Sequence, residues 1–172
     1  MRTTMQRWAL LGVVMGCLVA MGLVAPASAA GTTQISGSGY YDTTGSECGT
    51  PPAEFADFTP LVLHGSLEGC LYTDVLTFKF HGAPSGIYIE TGRELVVASL
   101  NGGPEGTFTT TYRFESKWDP DAATGVEVKG RCQHPIVTGS GIDGLAGAEG
   151  RLDFKDEVET GLFFYRGHIN LG

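Results

Sequence analysis

Apolar and polar side chains alternate with a period of two over much of the chain, which is the pattern of strands that bury one face. The clearest example is residues 107–118. One face carries Phe108, Thr110, Tyr112, Phe114, Ser116 and Trp118, and the other carries Thr109, Thr111, Arg113, Glu115 and Lys117. This segment therefore predicts a strand with a clean division between an interior and an exterior face.

Two other segments repeat this alternation, with predicted inner faces that contain polar as well as apolar groups. In residues 126–136 the inward set would be Val126, Val128, Gly130, Cys132, His134 and Ile136. In residues 70–80 it would be Cys70, Tyr72, Asp74, Leu76, Phe78 and Phe80. Both segments are predicted strands whose interior face includes an imidazole or a carboxylate.

The rest of the chain from residue 31 onward also favours strands and short turns over helices. Further strands are predicted at residues 33–41, 61–67, 86–90, 94–100, 150–155 and 161–171, with glycine- and proline-containing turns between most of them. No stretch of a dozen residues shows helical periodicity free of glycine. Eight or nine antiparallel strands in one undivided segment predict an all-β, single-domain protein, built as a closed barrel or a sandwich.

Residues 1–30 have the features of a secretory signal peptide. Arg2 and Arg7 form a basic head, residues 8–25 are apolar and uncharged, and residues 27–30 supply small side chains for cleavage. The alternative is an uncleaved membrane anchor, because the apolar run is nearly long enough to span a bilayer. We predict cleavage and export, which leaves residues 31–172 as the barrel domain, free of the membrane.

The chain is strongly acidic. Its 172 residues contain 11 basic and 19 acidic side chains, a net charge of −8. Two of the basic residues and none of the acidic ones lie in residues 1–30, so that residues 31–172 carry nine basic and 19 acidic side chains, or −10. This balance predicts neither nucleic acid nor an anionic membrane as a partner, since both require a basic face.

Three cysteines follow the predicted signal peptide, namely Cys48, Cys70 and Cys132. An oxidising compartment favours one disulfide and leaves one thiol free. Cys70 and Cys132 have the same predicted inward orientation, and we expect these two to pair, with Cys48 as the alternative partner of either. No C-x-x-C motif and no closely spaced pair of histidines occurs, so the sequence indicates neither a metal site nor a bound cofactor.

A glycine-rich stretch at residues 138–147, TGSGIDGLAG, matches the dinucleotide-binding pattern G-x-G-x-x-G from Gly139 to Gly144. A nucleotide site requires a helix after the third glycine, with the phosphates at its N-terminus. Gly147 and Gly150 follow instead, at a cost to a helix of about 2 kcal/mol, and only 28 residues remain after Gly144. We therefore predict a corner between strands, where glycine permits positive φ values and close approach of two backbones.

Residues 138–154 resemble the glycine-rich segment of the allene oxide cyclase-like barrel superfamily, which includes the dirigent proteins. The superfamily pattern is roughly G-[ST]-G-x-[FL]-x-G-[AV]-x-G followed by a strand. Here an extra residue separates Gly141 from Leu145, and Leu145 replaces the usual aromatic residue. The resemblance implies an eight-stranded, calycin-like antiparallel barrel with a lumen. It carries no catalytic residues across, because those of the relatives lie on strands that cannot be matched here position by position.

Polar groups on the predicted inner faces are the candidate chemistry. Asp74 and His134 could form a proton-transfer pair in an apolar lumen, with Tyr72 or Tyr112 as the hydrogen-bond donor. The alternative is a structural hydrogen bond, or a position open to solvent at the mouth of the barrel. The predicted lumen-binding side chains are Tyr72, Leu76, Phe78, Phe108, Tyr112, Phe114 and His134.

Other acidic groups have weaker patterns. Glu90 and Glu94, beside Tyr88, flank a predicted Thr91-Gly92 hairpin, which favours a solvated rim over paired acid–base catalysis. A solvated surface is likewise favoured over calcium binding for Asp119, Asp121, Asp153, Asp156, Glu157 and Glu159. Near the end of the chain the predicted core residues are Phe163, Tyr165, Ile169 and Leu171, with Arg166 and His168 facing outward.

These features predict an exported, cofactor-free barrel that binds a small, mostly apolar molecule in its lumen. One alternative is a cyclase or isomerase that acts on a reactive hydrophobic substrate inside the barrel through Asp74, His134 and tyrosines. The other is a structural or cell-surface barrel whose lumen is filled by its own side chains. A homo-oligomer is compatible with each of them, although the sequence carries no interface signal.

Overall fold

The computed structural model describes residues 31–172, which form an almost entirely β structure. The predicted signal peptide, residues 1–30, lies outside the described residues. The strands are β1 (Thr33–Tyr41), β2 (Leu61–Gly65), β3 (Leu67–Phe80), β4 (Ile87–Leu100), β5 (Glu105–Asp119), β6 (Val126–Pro135), β7 (Ile142–Asp143), β8 (Glu149–Glu157) and β9 (Leu162–Asn170). A short 3-10 helix, Ala53–Phe55, lies between β1 and β2. Within residues 31–172 no helix has the length and apolar character needed to cross a membrane.

Eight of these strands close into an antiparallel barrel. Their hydrogen-bonded order is β4-β3-β2-β1-β9-β8-β6-β5, and β4 also pairs with β5, which closes the ring. The two-residue strand β7 pairs with Gly106 and Thr107 of β5, outside the ring. The prediction of an all-β, antiparallel, eight-stranded barrel is therefore confirmed.

One half of the lumen, called here the closed half, is filled with apolar side chains. It lies around the start of β5 and the end of β4. Its side chains with no measurable exposure are Leu63, Leu67, Val96, Ala98, Phe108, Leu145, Ala148, Leu152 and Ile169. The opposite half, around the end of β5 and the start of β4, is called the open half, and it contains the polar side chains of the candidate site.

The glycine-rich segment is a corner between β6 and β8 and contains no helix, as expected. Gly139 and Gly147 have φ values of 78° and 75°. A Cβ on Gly141 would collide with the carbonyl oxygen of Leu145, and a Cβ on Gly144 with that of Pro104. These glycines let the segment lie against neighbouring backbone, so that Leu145 and Ala148 join the apolar core.

Strand β4 runs straight through the predicted Thr91-Gly92 hairpin. Residues 86–90 and 94–100, predicted as two strands, belong to the single strand Ile87–Leu100 apart from Gly86. Gly92 lies directly opposite Tyr112 of β5, and a Cβ there would collide with the Tyr112 ring. The hairpin prediction is wrong, because this glycine makes room for an aromatic ring and not for a turn.

Strand β3 has the opposite orientation to the one predicted for residues 70–75. Leu71 and Thr73 line the lumen, while Cys70 and Tyr72 pack against Phe55 beneath the segment that joins β1 to β2. This cover makes both faces of the strand apolar, and alternation alone cannot then identify the inner one. The predicted strand at residues 61–67 covers the whole of β2 and ends at the first residue of β3.

Strand β6 is oriented as predicted over Gly130 to Pro135 but not at its beginning. Val126 and Val128 are 71% and 54% exposed, so their predicted inward orientation is wrong. The register between β5 and β6 shifts next to Lys117, and this bulge places Glu127 opposite Trp118 on the inner face. An acidic side chain therefore enters the barrel where the alternation predicted valine.

Candidate functional site

A cavity of about 390 Å³ occupies the open half of the lumen. Its apolar lining includes Phe114 and Trp118 of β5, Phe163 of β9, and Phe58 from the segment between β1 and β2. Leu61, Leu71 and Phe154 line it as well. Volumes in this range suit small organic molecules, and such sites are mainly apolar with a few fixed polar groups.

Four carboxylates line the same cavity, those of Glu90, Glu94, Glu127 and Asp156. Glu90 and Glu94 lie on one face of β4, and each residue is only 5% exposed. Within the part of the chain that the structure describes, no lysine or arginine belongs to the lining. The interior of the open half is therefore acidic.

Glu90 is held by two tyrosines. Tyr88 and Tyr112 donate hydrogen bonds to its two carboxylate oxygens, at 2.5 and 2.6 Å. Burial and the adjacent Glu90 carboxylate raise the pKa of both phenols above their ordinary value. The tyrosines consequently keep their protons at neutral pH, and both oxygens of Glu90 have a donor.

Glu94 and His134 form a buried pair at the boundary between the two halves. The Oε2 atom of Glu94 accepts a hydrogen bond from the Thr110 hydroxyl at 3.1 Å and pairs with Nδ1 of His134. The His134 side chain is 5% exposed, and its ring packs on Tyr112 and Phe154. Its Nε2 atom has no hydrogen-bond partner among residues 31–172. An imidazole oriented by a carboxylate, with its second nitrogen free, can act as a base or as an anchor for a donor group.

Glu127 and Asp156 form a second acidic pair. A Cβ on Gly130 would collide with a carboxylate oxygen of each acid, so this glycine provides the space in which they approach one another. Burial, reinforced by the charge of Asp156, raises the pKa of Glu127 to about 7. Burial also raises the pKa of Asp156. Two neighbouring buried acids of this kind hold one proton between them near neutral pH.

The predicted Asp74–His134 pair does not form. Asp74 lies on the outer surface, where its carboxylate pairs with Arg93 of β4. Tyr72 also points outward, and its hydroxyl donates to the Cys48 carbonyl at 2.7 Å. Both residues follow the reversed orientation of β3, so their predicted places in the lumen are wrong.

The other predicted lumen residues divide into two groups. Tyr112, Phe114 and His134 line the cavity, and Phe108 is fully buried in the closed half. Leu76 and Phe78 are 59% and 64% exposed and line no part of the cavity. Leu76 lies at a register shift in β3, and Phe78 stacks on Tyr88 beyond it, with ring centroids 6.4 Å apart. This end of β3 extends beyond β2, which pairs only with Gly69 to Leu71, so its side chains are exposed.

The four lumenal carboxylates were expected on the surface. For Glu90 and Glu94 a signal was present, because an unbroken strand through Gly92 puts both on one face with Tyr88 and Val96. For Glu127 no such signal exists, since only the bulge turns it inward.

The disulfide joins Cys48 to Cys70, with Cα atoms 5.7 Å apart. The expected Cys70–Cys132 pairing is wrong, because Cys70 faces outward while Cys132 lines the lumen. Asp42 positions Cys48, the disulfide partner of Cys70. The Asp42 carboxylate accepts hydrogen bonds from the backbone N–H groups of Ser46, Glu47 and Cys48. These bonds lower the pKa of Asp42 to about 2.

Cys132 is the free cysteine among the described residues, and it is buried. Burial and the nearby carboxylates raise the pKa of its thiol well above the ordinary value. A thiol in this state is a poor nucleophile, so Cys132 is suited to packing and not to covalent chemistry.

The remaining acidic groups considered for calcium are dispersed. Asp121 accepts backbone N–H groups of Ala123 and Thr124 within a turn, and Asp153 pairs with Arg151. Over residues 31–172, no group of three or more His, Cys, Asp or Glu side chains is placed to hold a metal ion.

Five of the nine basic residues in residues 31–172 gather on one part of the outer wall of the barrel. Lys117 lies directly opposite Lys129, and Arg131 directly opposite Lys155, pairings that oppose stability. They line a groove of about 890 Å³ together with Arg166. A net acidic chain can thus still present basic residues on one face, and the absence of a nucleic acid or membrane partner stays a prediction.

Comparison of the chain with family models, with curated proteins and with solved structures found no match. The resemblance of residues 138–154 to the allene oxide cyclase-like barrels therefore stays a prediction, and the function must be argued from the cavity itself.

Proposed function

We propose that the protein binds a small organic molecule in the open half of its barrel. The cavity of about 390 Å³ is the observation that carries this proposal. Its aromatic and aliphatic wall suits an apolar body, and its buried polar atoms suit a ligand that also carries a polar head. The same strands enclose a fully packed interior in the closed half. The barrel fold by itself therefore does not require the cavity in the open half.

Two unpartnered polar atoms support a ligand with a polar head. His134 Nε2 and Glu127 Oε1 are buried and have no hydrogen-bond partner within the described residues. A buried polar atom without a partner costs roughly 1–3 kcal/mol. A ligand that supplies hydrogen-bond donors there would offset this cost, which gives the site a preference beyond apolar contact.

We also propose that the protein is exported. The signal-like composition of residues 1–30 supports this, and so does the Cys48–Cys70 disulfide, since such bonds persist in oxidising compartments.

The mouth of the cavity offers a matched pair of variants. Ala122 lines the cavity, whereas its neighbour Ala123 is exposed and does not. We expect Ala122→Phe to weaken binding of an apolar fluorescent dye at least ten-fold, and Ala123→Phe to leave the affinity within two-fold, as measured by titration. Equal affinities in the two variants, or no binding by the unaltered protein, would count against lumenal binding.

A second candidate function is proton-transfer isomerisation of the bound molecule. The Glu94–His134 pair favours it, because Nδ1 is held by a carboxylate while Nε2 is unpartnered in a residue that lines the cavity. Compound extracted from protein incubated in deuterated water should then carry deuterium, and His134→Gln should abolish this incorporation while retaining the compound. Incorporation at an unchanged rate in His134→Gln would remove His134 as the base.

A further inference from the structure

We infer that the head group of the lumenal ligand is an organic cation, an ammonium or guanidinium group on an apolar body. This inference rests on the proposed lumenal binding and specifies its ligand class. It follows from three independent features of the open half: its charge, the state of its buried polar atoms, and its aromatic wall.

The charge of the lining is one-sided. Four of its 19 residues are carboxylic acids, and among these lining residues the only group that can become cationic is His134. His134 is bonded to Glu94, and Glu90 is neutralised by no cation, only by two phenol hydrogen bonds. Glu127 and Asp156 have no lysine or arginine partner in the cavity, and the pair, with one shared proton, still carries one negative charge. Buried charges are ordinarily paired, so this interior lacks a counter-charge that a cationic ligand would provide.

The second feature is that two buried acceptor atoms of the lining are unpartnered while three of its strongest donors are already used. Glu127 Oε1 is buried, and its only donor is the proton that the pair of acids shares. When Nδ1 of His134 donates to Glu94, its Nε2 is an acceptor too, and this side chain is 5% exposed. By contrast, the Tyr88 and Tyr112 hydroxyls and the Trp118 indole N–H already donate to protein acceptors. Apart from that shared proton, these two acceptors lack a donor from the protein, and an ammonium or guanidinium group brings donors only.

The third feature is the wall. Aromatic rings of Tyr41, Phe58, Phe114, Trp118 and Phe163 line the same cavity as the carboxylates. The faces of such rings attract cations, most strongly where the contact is desolvated. Aromatic rings together with carboxylates therefore favour a cation over a neutral molecule of the same shape. An anionic ligand would instead place a further negative charge among four acids.

A matched series of probes tests the inference directly. Phenylbutylammonium, phenylbutanol and 5-phenylpentanoate share one phenylbutyl body and differ in the charge of the head group. We expect calorimetric titration at neutral pH and low salt to give at least ten-fold tighter binding of the ammonium than of the alcohol, and no measurable binding of the carboxylate. Emission from Trp118, separated from that of Trp8 by the Trp118→Phe variant, locates the binding in the cavity.

The double variant Glu127→Gln/Asp156→Asn removes the acidic pair while retaining its shape. We expect the double variant to bind the ammonium about ten-fold more weakly than the unaltered protein does, and to bind the alcohol with an affinity within two-fold of the original. Glu149→Gln, an exposed acid at the closed half, is the matched control and should change neither affinity.

The outcomes separate this inference from the proposed function. If the alcohol binds as tightly as the ammonium, or if the double variant binds both unchanged, the cationic head group is overturned while lumenal binding stands. If none of the three probes binds and Trp118 emission does not change, the proposal of lumenal binding is refuted, and so is the inference that depends on it.

Discussion

The closed and open halves of the lumen are built by the same eight strands and differ in what fills them. In the closed half, nine apolar side chains have no measurable exposure, and two of them, Leu145 and Ala148, come from the glycine-rich corner. In the open half, four carboxylates, a histidine and several aromatic rings surround a cavity of about 390 Å³. One barrel thus joins a packed core to an acidic chamber.

The difference indicates how the barrel divides stability and function. Full burial of a leucine or phenylalanine contributes roughly 1.5–3 kcal/mol, so the closed half supplies much of the stability. In the open half, unpartnered His134 Nε2 and Glu127 Oε1 oppose stability. Groups that are unfavourable for folding, gathered around a cavity, are typical of a functional site.

Removal of a side chain from the closed half should have the largest effect. Leu145 is fully buried beneath the barrel end, and Leu145→Ala should lower the free energy of unfolding by about 4 kcal/mol, or Tm by about 12 °C. Leu76→Ala, at a position 59% exposed, is the same substitution outside the core and should change stability by less than about 0.5 kcal/mol. Similar losses for the two variants, in thermal unfolding followed by circular dichroism, would show that Leu145 does not fill the core.

The disulfide is the next largest contribution, and it affects the open half. It fastens the segment that places Phe58 in the cavity wall. It closes a loop with a sequence separation of 22 residues, so reduction should cost about 3 kcal/mol. We expect a reductant to lower Tm of the unaltered protein by about 9 °C, and to leave Tm of Cys48→Ala/Cys70→Ala unchanged.

Alkylation provides the complementary measurement for the cysteines. Of the three cysteines in residues 31–172, none should react under native conditions, and after unfolding without reductant only Cys132 should be labelled, because it is buried and unbridged. Peptide mapping that found label on Cys48 instead would restore the Cys70–Cys132 pairing.

The acidic pair should have a smaller effect, with a defined pH dependence. The pKa of Glu127 is about 7 in the folded protein against 4.5 for an unperturbed glutamate, so the folded state holds its proton more tightly. The stabilising contribution of Glu127 to the free energy of unfolding is therefore fully present below about pH 4.5 and is lost as the pH rises through 7. The pKa of Asp156 is raised in the same direction.

Glu127→Gln removes this titration and should stabilise the protein above neutral pH by about 1 kcal/mol, after allowance for partial exposure. Its Tm should fall less than that of the unaltered protein between pH 5 and pH 7.5. Glu149→Gln is the control and should retain the original slope, since Glu149 is exposed. Parallel slopes in the two variants would mean that Glu127 is not the group that titrates.

The orientation of a strand could be predicted from the sequence where its outer face lies in solvent, and could not where another segment covers that face. On β5 the outer face is polar throughout, and every predicted orientation from Phe108 to Trp118 agrees with the structure. On β3 the 3-10 helix and its flanking segment bury the outer face around Tyr72, so the pattern that identifies the inside is lost. Burial by a distant segment depends on tertiary packing, which no local window of sequence contains.

The candidate site was less predictable than the barrel, for a related reason. Three of its four acids enter the lumen through features that break local rules: a glycine inside β4 that accommodates Tyr112, and a bulge in β6 that turns Glu127 inward. Asp156 instead continues the regular alternation of Phe154 on β8. His134 and Tyr112 were identified because they lie on regular alternating stretches. Their partners Glu94 and Glu90 were not identified, because Gly92 was interpreted as a turn.

The smallest expected effect tests the bulge, on which the acidity of the open half depends. Val126→Thr and Val128→Thr replace exposed valines, and each should change the free energy of unfolding by less than about 0.5 kcal/mol. Val96→Thr makes the same replacement at a fully buried position of the closed half and should cost about 2 kcal/mol, because a hydroxyl loses its water. In chemical denaturation, a cost at Val128 equal to that at Val96 would place Val128 in the lumen and Glu127 in solvent. The cavity would then lose one of its four carboxylates, and with it the acidic pair on which the preference for a cation depends.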